Sequence, residues 1–281
     1  MTLPDSPQSP DRPVSTAKAG PPPAPERRRR TIAISGSASG IGAAVRERFE
    51  RSGLKVVGVD RHDAEVIADL STPDGRREAV TKTTELAGGH LDGVVACAGL
   101  GPHVRPFEAI PKVNYFGALA YLDGLLPALA GGEAPAAVAI SSNGATLTPT
   151  NQAFVDLLLT DDEEASCAMA ATLDGATVYG MSKLAMTIGL RRRAGTWAGK
   201  GVRLNAVAPG PVDTPLLAAS LADKTLGPLV EALPVPVGRR ATAGEIAGAV
   251  GFLLDPVNGF IHGSLLFVDG GSDALLRPDR V

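Results

Sequence analysis

From Thr31 onward, short apolar runs alternate with stretches of helical period. Thr31–Ser35, Leu54–Asp60, Leu91–Ala96, Ala136–Ser141 and Val202–Val207 read as strands, while Ala43–Arg51, Thr72–Leu86 and Pro111–Ala130 read as helices. Thr72 followed by Pro73 is a helix start, and Gly88-Gly89 is a stop. Strands that are apolar throughout must be buried on both faces, and parallel neighbours need a helical crossover between them. The pattern therefore predicts an α/β fold, a doubly wound and mostly parallel sheet with helices on either side.

The first strand runs straight into glycines spaced Gly36-x-x-x-Gly40-x-Gly42. At a strand-to-helix junction such glycines allow a tight turn and the close approach of a phosphate to the helix N-terminus, where free N–H groups and the helix dipole favour an anion. Asp60 ends the second strand some twenty residues on, where a carboxylate can accept both hydroxyls of an adenosine ribose and repel a 2′-phosphate. No Lys or Arg lies in Ser37–Ser39 to offset that repulsion, and Arg61 is expected to face solvent. The expected cofactor is NAD, not NADP.

Bulk properties exclude other classes. With 281 residues, 44% apolar, the chain can bury one substantial core. No apolar run approaches the ~20 residues of a membrane span. Residues 1–30 hold eight prolines, six basic and three acidic residues, without hydrophobic period, and read as a disordered Pro/Arg-rich tail. The remaining 21 basic and 27 acidic residues form no basic stripe, so no nucleic-acid partner is expected. Arg27–Arg30 could suggest an export signal, but glycine and serine follow where an apolar segment would be required. Cys97 and Cys167 lack metal-ligand spacing and the four histidines are scattered, so no metal is expected and the chain reads as cytoplasmic, with reduced thiols.

Tyr179 and Lys183 are four apart where an apolar-periodic run begins, read as the opening turns of a helix, and would share one face. An ammonium beside a phenol favours the phenolate and brings a tyrosine toward acid–base work. On a helix such a pair is by itself usually two surface neighbours; its company gives it weight.

That company is ordered. Ser35-Gly36-Ser-Ala-Ser-Gly40-Ile-Gly42, Cys97-Ala98-Gly99, Asn114, Ser141-Ser142, Tyr179-x-x-x-Lys183 and Pro209-Gly210 together resemble the short-chain dehydrogenase/reductase family, a Rossmann fold, over residues 31 to about 277. Within the family the chain is most similar to the bacterial 3α-hydroxysteroid dehydrogenase/carbonyl reductase type, through Val59–Leu70, Cys97–Pro102, Val113–Gly117 and Arg203–Gly210. The resemblance implies Asn114, Ser142, Tyr179 and Lys183 as the catalytic set, with Ser141 the competitor for the serine role. It further implies that Gly36, Ser39, Gly40, Ile41 and Gly42 meet the pyrophosphate and nearby ribose, and Asp60 the adenine ribose. Asp69 and Leu70 would bracket the adenine, Ala98 and Gly99 the other ribose, and Pro209, Val212 and Thr214 the carboxamide end. Cys97 stands where many members have asparagine and is read as a buried filler.

Two segments are distinctive. Ser142 and Tyr179 lie 37 positions apart, a wider gap than the family's usual one, so residues 143–178 read as a helical insertion that lines the pocket or a subunit contact. Residues 214–237 carry Leu216, Leu217, Leu221, Leu226, Leu229, Val230 and Leu233, a substrate flap or simply core. The expected activity is NAD-dependent interconversion of a secondary alcohol and a ketone on an apolar, steroid-like substrate. The alternatives are another apolar alcohol, terpenoid or aromatic, or a non-catalytic NAD sensor. By resemblance, the expected assembly is a homodimer or homotetramer.

Overall fold

The structure is a computed structural model that describes residues 28–280. The tail expected over residues 1–30 therefore lies outside the described residues as far as residue 27. Arg28, by contrast, is no freely solvated charge: its guanidinium donates to Asp92 Oδ1 at 2.6 Å. Asp92 is fully buried and also accepts from the main-chain N–H groups of Thr31 and Glu133, both at 2.7 Å. A carboxylate so deep needs these partners, and they tie the chain's entry to the sheet.

The strands are β1 (Thr31–Ser35), β2 (Lys55–Asp60), β3 (Val66–Ile67), β4 (Gly93–Ala96), β5 (Ala136–Ile140), β6 (Arg203–Pro209), β7 (Val212–Asp213), β8 (Ala241–Thr242) and β9 (Leu265–Val268). Seven of them form one sheet in the order β3-β2-β1-β4-β5-β6-β9, all neighbours parallel, while β7 and β8 make a small separate pair. The first helices are α1 (Gly40–Arg51), α2 (Pro73–Leu86), α3 (Ala109–Pro111) and, after a π-helical turn at Lys112–Gly117, α4 (Ala118–Ala130). Then come α5 (Gly144–Leu147), α6 (Gln152–Leu158), α7 (Glu163–Ala170) and α8 (Gly175–Ala198). The last are α9 (Pro215–Ala222), α10 (Leu226–Glu231), α11 (Ala243–Leu254) and α12 (Ser272–Leu276).

The doubly wound sheet expected from the strand–helix alternation is the one observed. One face of the sheet buries α2, α4, α6 and α8 through Tyr121, Leu125, Phe154 and Met186, among others. The other buries α1 and α11 through Val45, Phe49, Ile246 and Val250. The strand order reverses between β1 and β4. At that switch point the loops leaving the two strands diverge and open a crevice at the carboxyl edge, where open α/β sheets take their ligands.

Three local departures from the sequence pattern bear on the site. The helix carrying Tyr179 starts earlier than expected, at Gly175, because Asp174 caps it by accepting from Thr177 N at 3.0 Å. The helix expected over Pro111–Ala130 is interrupted by the π turn, and Asn114 sits inside it. There its side-chain amide is turned to the loop after β4, accepting from Leu100 N at 2.7 Å and donating to Leu100 O at 2.9 Å. Finally, α11 and β9 complete the sheet and its second face although no strand or helix was read there. The insertion is folded into the core: Phe154, Val155 and Leu158 of α6 are fully buried.

Candidate active site

A cavity of about 1100 Å³ runs along the carboxyl edge of the sheet. Its walls bring together Gly36, Ser39, Gly40, Ile41, Gly42, Asp60, Asp69, Leu70, Ala98, Gly99, Ser142, Tyr179, Lys183, Pro209, Val212 and Thr214. Asn114 alone among the sequence-predicted site residues stands behind the wall. A Cβ placed on Gly99 would come 3.3 Å from Asn114 Oδ1 and 3.5 Å from Lys183 Nζ, which locates both just under that glycine.

One end is built on the glycine turn after β1. Gly36 has φ +71°, a left-handed conformation, and a Cβ on Gly42 would lie 1.9 Å from Gly36 O, so the turn and the first helical residues pack with no space for side chains. Ser39 is the N-cap of α1 yet its hydroxyl caps nothing, and no acidic residue occupies the first turn. The leading N–H groups of α1 thus face the cavity as donors for an anion. Asp60 Oδ2 accepts from Ala38 N at 3.0 Å, which holds the carboxylate against this turn. Arg61 is exposed but does border the cavity, so it is not turned wholly to solvent as expected. Asp69 accepts from Ser71 N at 2.9 Å. Burial pushes its carboxyl up, but the Ser71 hydrogen bonds and the charges of Arg61 and Arg76 outweigh it and hold the group below the usual carboxylate range. Across the cavity the Cβ position of Gly40 is 3.4 Å from the Thr214 side chain, so the glycine turn and the loop after β6 face each other. The Thr214 hydroxyl itself caps α9, donating to Val212 O at 3.1 Å and accepting from Leu217 N at 3.3 Å.

In the middle lie Ser142, Tyr179 and Lys183. Lys183 is buried and donates from Nζ to Ile140 O at 2.7 Å. Ser142 accepts from Gly144 N at 3.0 Å, and its hydroxyl adjoins the Tyr179 phenol. Ser141, the competitor, has its hydroxyl bonded to Thr187 Oγ1 at 2.8 Å. Asn143, next to Ser142, also lines the cavity, and its Nδ2 is buried without a hydrogen-bond partner among the described residues.

The electrostatics correct one expectation. Burial pushes the Tyr179 phenol above its ordinary value; the contact with Ser142 opposes that, and Lys183 is not among the causes. Burial also pushes Lys183 down to about 8, against a small upward effect from Cys97. The two side chains share a cavity as the i, i+4 spacing requires, but the ammonium is held by the Ile140 carbonyl, and desolvation dominates both groups. Burial pushes the Cys97 thiol up to about 12, which leaves it a protonated, unreactive filler.

The other end is apolar. Leu216, Leu217, Leu226, Leu229, Val230 and Leu233 of the 214–237 segment border the cavity; Leu226 is buried, whereas Leu229 remains 63% exposed. Opposite them stand Leu100, Pro102 and Val104, and Leu147 and Pro149 from the start of the insertion. Sequence reasoning missed the first three, whereas the last two fall in the insertion expected to line the pocket or a subunit contact; the loop after β4 carries no period, and only the long-range Asn114–Leu100 bonds reveal its placement. His103 adds a tie between the two walls, 3.0 Å from Ser220 Oγ on α9. Among the described residues no cluster of His, Cys, Asp or Glu could hold a metal ion, and no helix is long and apolar enough to cross a membrane.

A parallel sheet with a glycine cradle at its switch point, and a Ser–Tyr–Lys group beside it, define a nucleotide-dependent oxidoreductase of a known kind: the chain belongs to the short-chain dehydrogenase/reductase family. The family described as short chain dehydrogenase matches residues 30–154, and that described as enoyl-(acyl carrier protein) reductase matches residues 164–273. The 3-alpha-hydroxysteroid dehydrogenase/carbonyl reductase of Comamonas testosteroni is 43% identical over 253 residues, 89% of this chain and 98% of the relative. A crystal structure of the 3-alpha-hydroxysteroid dehydrogenase from Pseudomonas sp. B-0831, complexed with NADH, superposes with a TM-score of 0.88 at 47% identity, covering 89% of this chain and all of that one. More distantly, cis-4-hydroxycyclohexanecarboxylate dehydrogenase of Sinomonas cyclohexanicum is 30% identical over 261 residues, 88% of this chain and 97% of the relative.

Proposed function

We propose that the chain is an NAD-dependent dehydrogenase that interconverts a secondary alcohol and a ketone on an apolar, steroid-like substrate. The observation that carries this reading is the continuity of one cavity, with the glycine cradle and Asp60 at one end, Ser142, Tyr179 and Lys183 midway, and the leucine-lined roof at the other. The cradle suits a pyrophosphate because a Cβ at Gly42 would collide with Gly36 O, so only glycine lets the turn and the helix start approach so closely. NAD, when bound, supplies the carbon that takes the hydride.

The protein's own groups then do the following. Asp60 receives the adenine ribose and disfavours a 2′-phosphate. Ser142 donates to the substrate oxygen and fixes it against Tyr179. Tyr179, a protonated phenol at rest, passes its own proton onward past Lys183 as it accepts the hydroxyl proton in oxidation, and the transfer reverses in reduction. Lys183, with its charge held by the Ile140 carbonyl, steadies the nicotinamide ribose and draws the proton onward. The Asn114 side chain, bonded to both main-chain groups of Leu100, sits with Lys183 Nζ beneath Gly99 and fixes that side of the site. The roof segment and the loop after β4 strip water from a large apolar body, each well-buried branched side chain contributing about 1.5–3 kcal/mol.

The test is NAD reduction, followed by the absorbance of reduced nicotinamide, with a 3α-hydroxysteroid, a terpenoid carbinol, an aromatic carbinol and a short-chain alcohol. The steroid is expected to give the highest kcat/KM, with NAD well ahead of NADP. A short-chain alcohol turned over as efficiently as the steroid would remove the apolar-substrate reading, and NAD binding without turnover of any alcohol would leave a sensor.

A further inference from the structure

Arg76 lies outside the cavity yet touches three of the segments around it. It is buried, on the first turns of α2, directly after the Asp69–Ser71 loop. Its Nε donates to Leu70 O at 2.8 Å, and its Nη2 to Lys112 O at 2.8 Å and Ser71 O at 3.3 Å. The remaining donors form a fork on Glu163 at the start of α7, Nη1 to Oε2 at 2.6 Å and Nη2 to Oε1 at 2.8 Å. One guanidinium thus joins the Leu70–Ser71 corner of the cavity, the first residue of the π turn, and the insertion.

These segments are in direct contact. A Cβ on Gly117, the last residue of the π turn, would lie 2.8 Å from Leu70 O, so the turn packs against the loop itself. A second tether joins the same two parts: Tyr115 in the π turn donates to Asp161 Oδ1 of the insertion at 2.9 Å. A buried guanidinium is tolerated only while it is paired and its donors are used. Glu163 is the one carboxylate in ion-pair contact with Arg76 among the described residues. Removing it leaves a cation that must draw in water or move, carrying the Leu70 and Ser71 carbonyls with it.

We propose that Glu163, acting through Arg76, is a positioning residue for the adenine end of the nucleotide site, so that the insertion sets cofactor affinity without touching the cofactor. The proposal rests on the dinucleotide reading above. A bidentate Arg–carboxylate pair suits the task because it fixes angle as well as distance, which a lysine could not do.

The test compares wild type with Glu163→Ala and Glu163→Gln for NADH affinity by fluorescence titration, for competition by AMP, and for kcat and the KM of the alcohol. AMP occupies only the adenine half, so it reports on that half alone. The expected result for Glu163→Ala is about tenfold weaker binding of both NADH and AMP, with kcat at saturating NAD and the alcohol KM within about twofold of wild type. Glu163→Gln keeps the shape and one acceptor and should fall between the two; it also serves if the alanine variant does not fold. Unchanged affinity for NADH and AMP in a folded variant overturns the proposal, as does a loss confined to kcat. Wild-type protein that binds neither NADH nor AMP would instead remove the dinucleotide reading itself.

Discussion

Lys183 carries the clearest consequence at the scale of single residues. Burial brings its ammonium down to about 8, whereas a lysine in an unfolded chain titrates near ~10.4. Below about pH 8 both states are protonated, and the folded state bears the full cost of an ammonium withdrawn from water, on the order of 3 kcal/mol. Between about pH 8 and 10.4 the unfolded chain binds more protons, so this cost is relieved and stability rises with pH. Lys183→Met lacks the titrating group. Its stability relative to wild type should therefore be most favourable near neutral pH and decline through that window by on the order of 3 kcal/mol. Denaturant melts of both proteins at neutral and alkaline pH measure it; a difference that does not change with pH would contradict the assigned burial. A cost kept at the centre of the cavity is what a proton-handling site requires, since an amine near its own pKa can both hold and release charge.

At the scale of elements, the junction of β1 and α1 is among the least forgiving places in the described residues. A Cβ at position 42 would sit 1.9 Å from a main-chain oxygen, a contact that only backbone movement can relieve. Gly42→Ala should lower stability by about 1–3 kcal/mol and weaken NADH at least about tenfold, because the turn that must shift is the one cradling the pyrophosphate. Fluorescence titration together with thermal melting checks both, and unaltered NADH affinity would mean that the glycine serves packing alone. This junction was legible in the sequence because three glycines after an apolar run state their purpose locally. The same holds for the capped start of α2 at Thr72. The loop after β4 was not legible: Leu100, Pro102 and Val104 reach the cavity through hydrogen bonds to Asn114, a contact that no period encodes. Nor was the fate of Tyr179, whose phenol is raised by burial, a quantity set by the whole fold and not by its neighbour four residues on. The end of the sheet escaped as well, β9 being only four residues long and half-buried throughout.

For the molecule as a whole, the sheet's reversal between β1 and β4 decides where everything else can act. It opens the crevice, the loops from β1, β2 and β4 line one side of it, and those from β5 and β6 bring the acid–base group and the roof to the other. Residues from Gly36 to Leu233 converge there only because parallel strands deliver all their carboxyl ends to one edge. The insertion between Ser142 and Tyr179 works on the same plan, packing α6 into the core and tying α7 through Arg76 to the Leu70–Ser71 corner while its first residues border the cavity. In the proposed function these parts serve one step, the exchange of a proton between Tyr179 and an alcohol beside the nucleotide. Tyr179→Phe isolates that step, since it removes one oxygen and leaves the cradle untouched. Measured on the purified protein with NAD and a 3α-hydroxysteroid, the variant should lose about 10²- to 10⁴-fold in kcat or more while its NADH affinity stays within a few-fold of wild type. Turnover that survives the substitution would contradict the account at its centre.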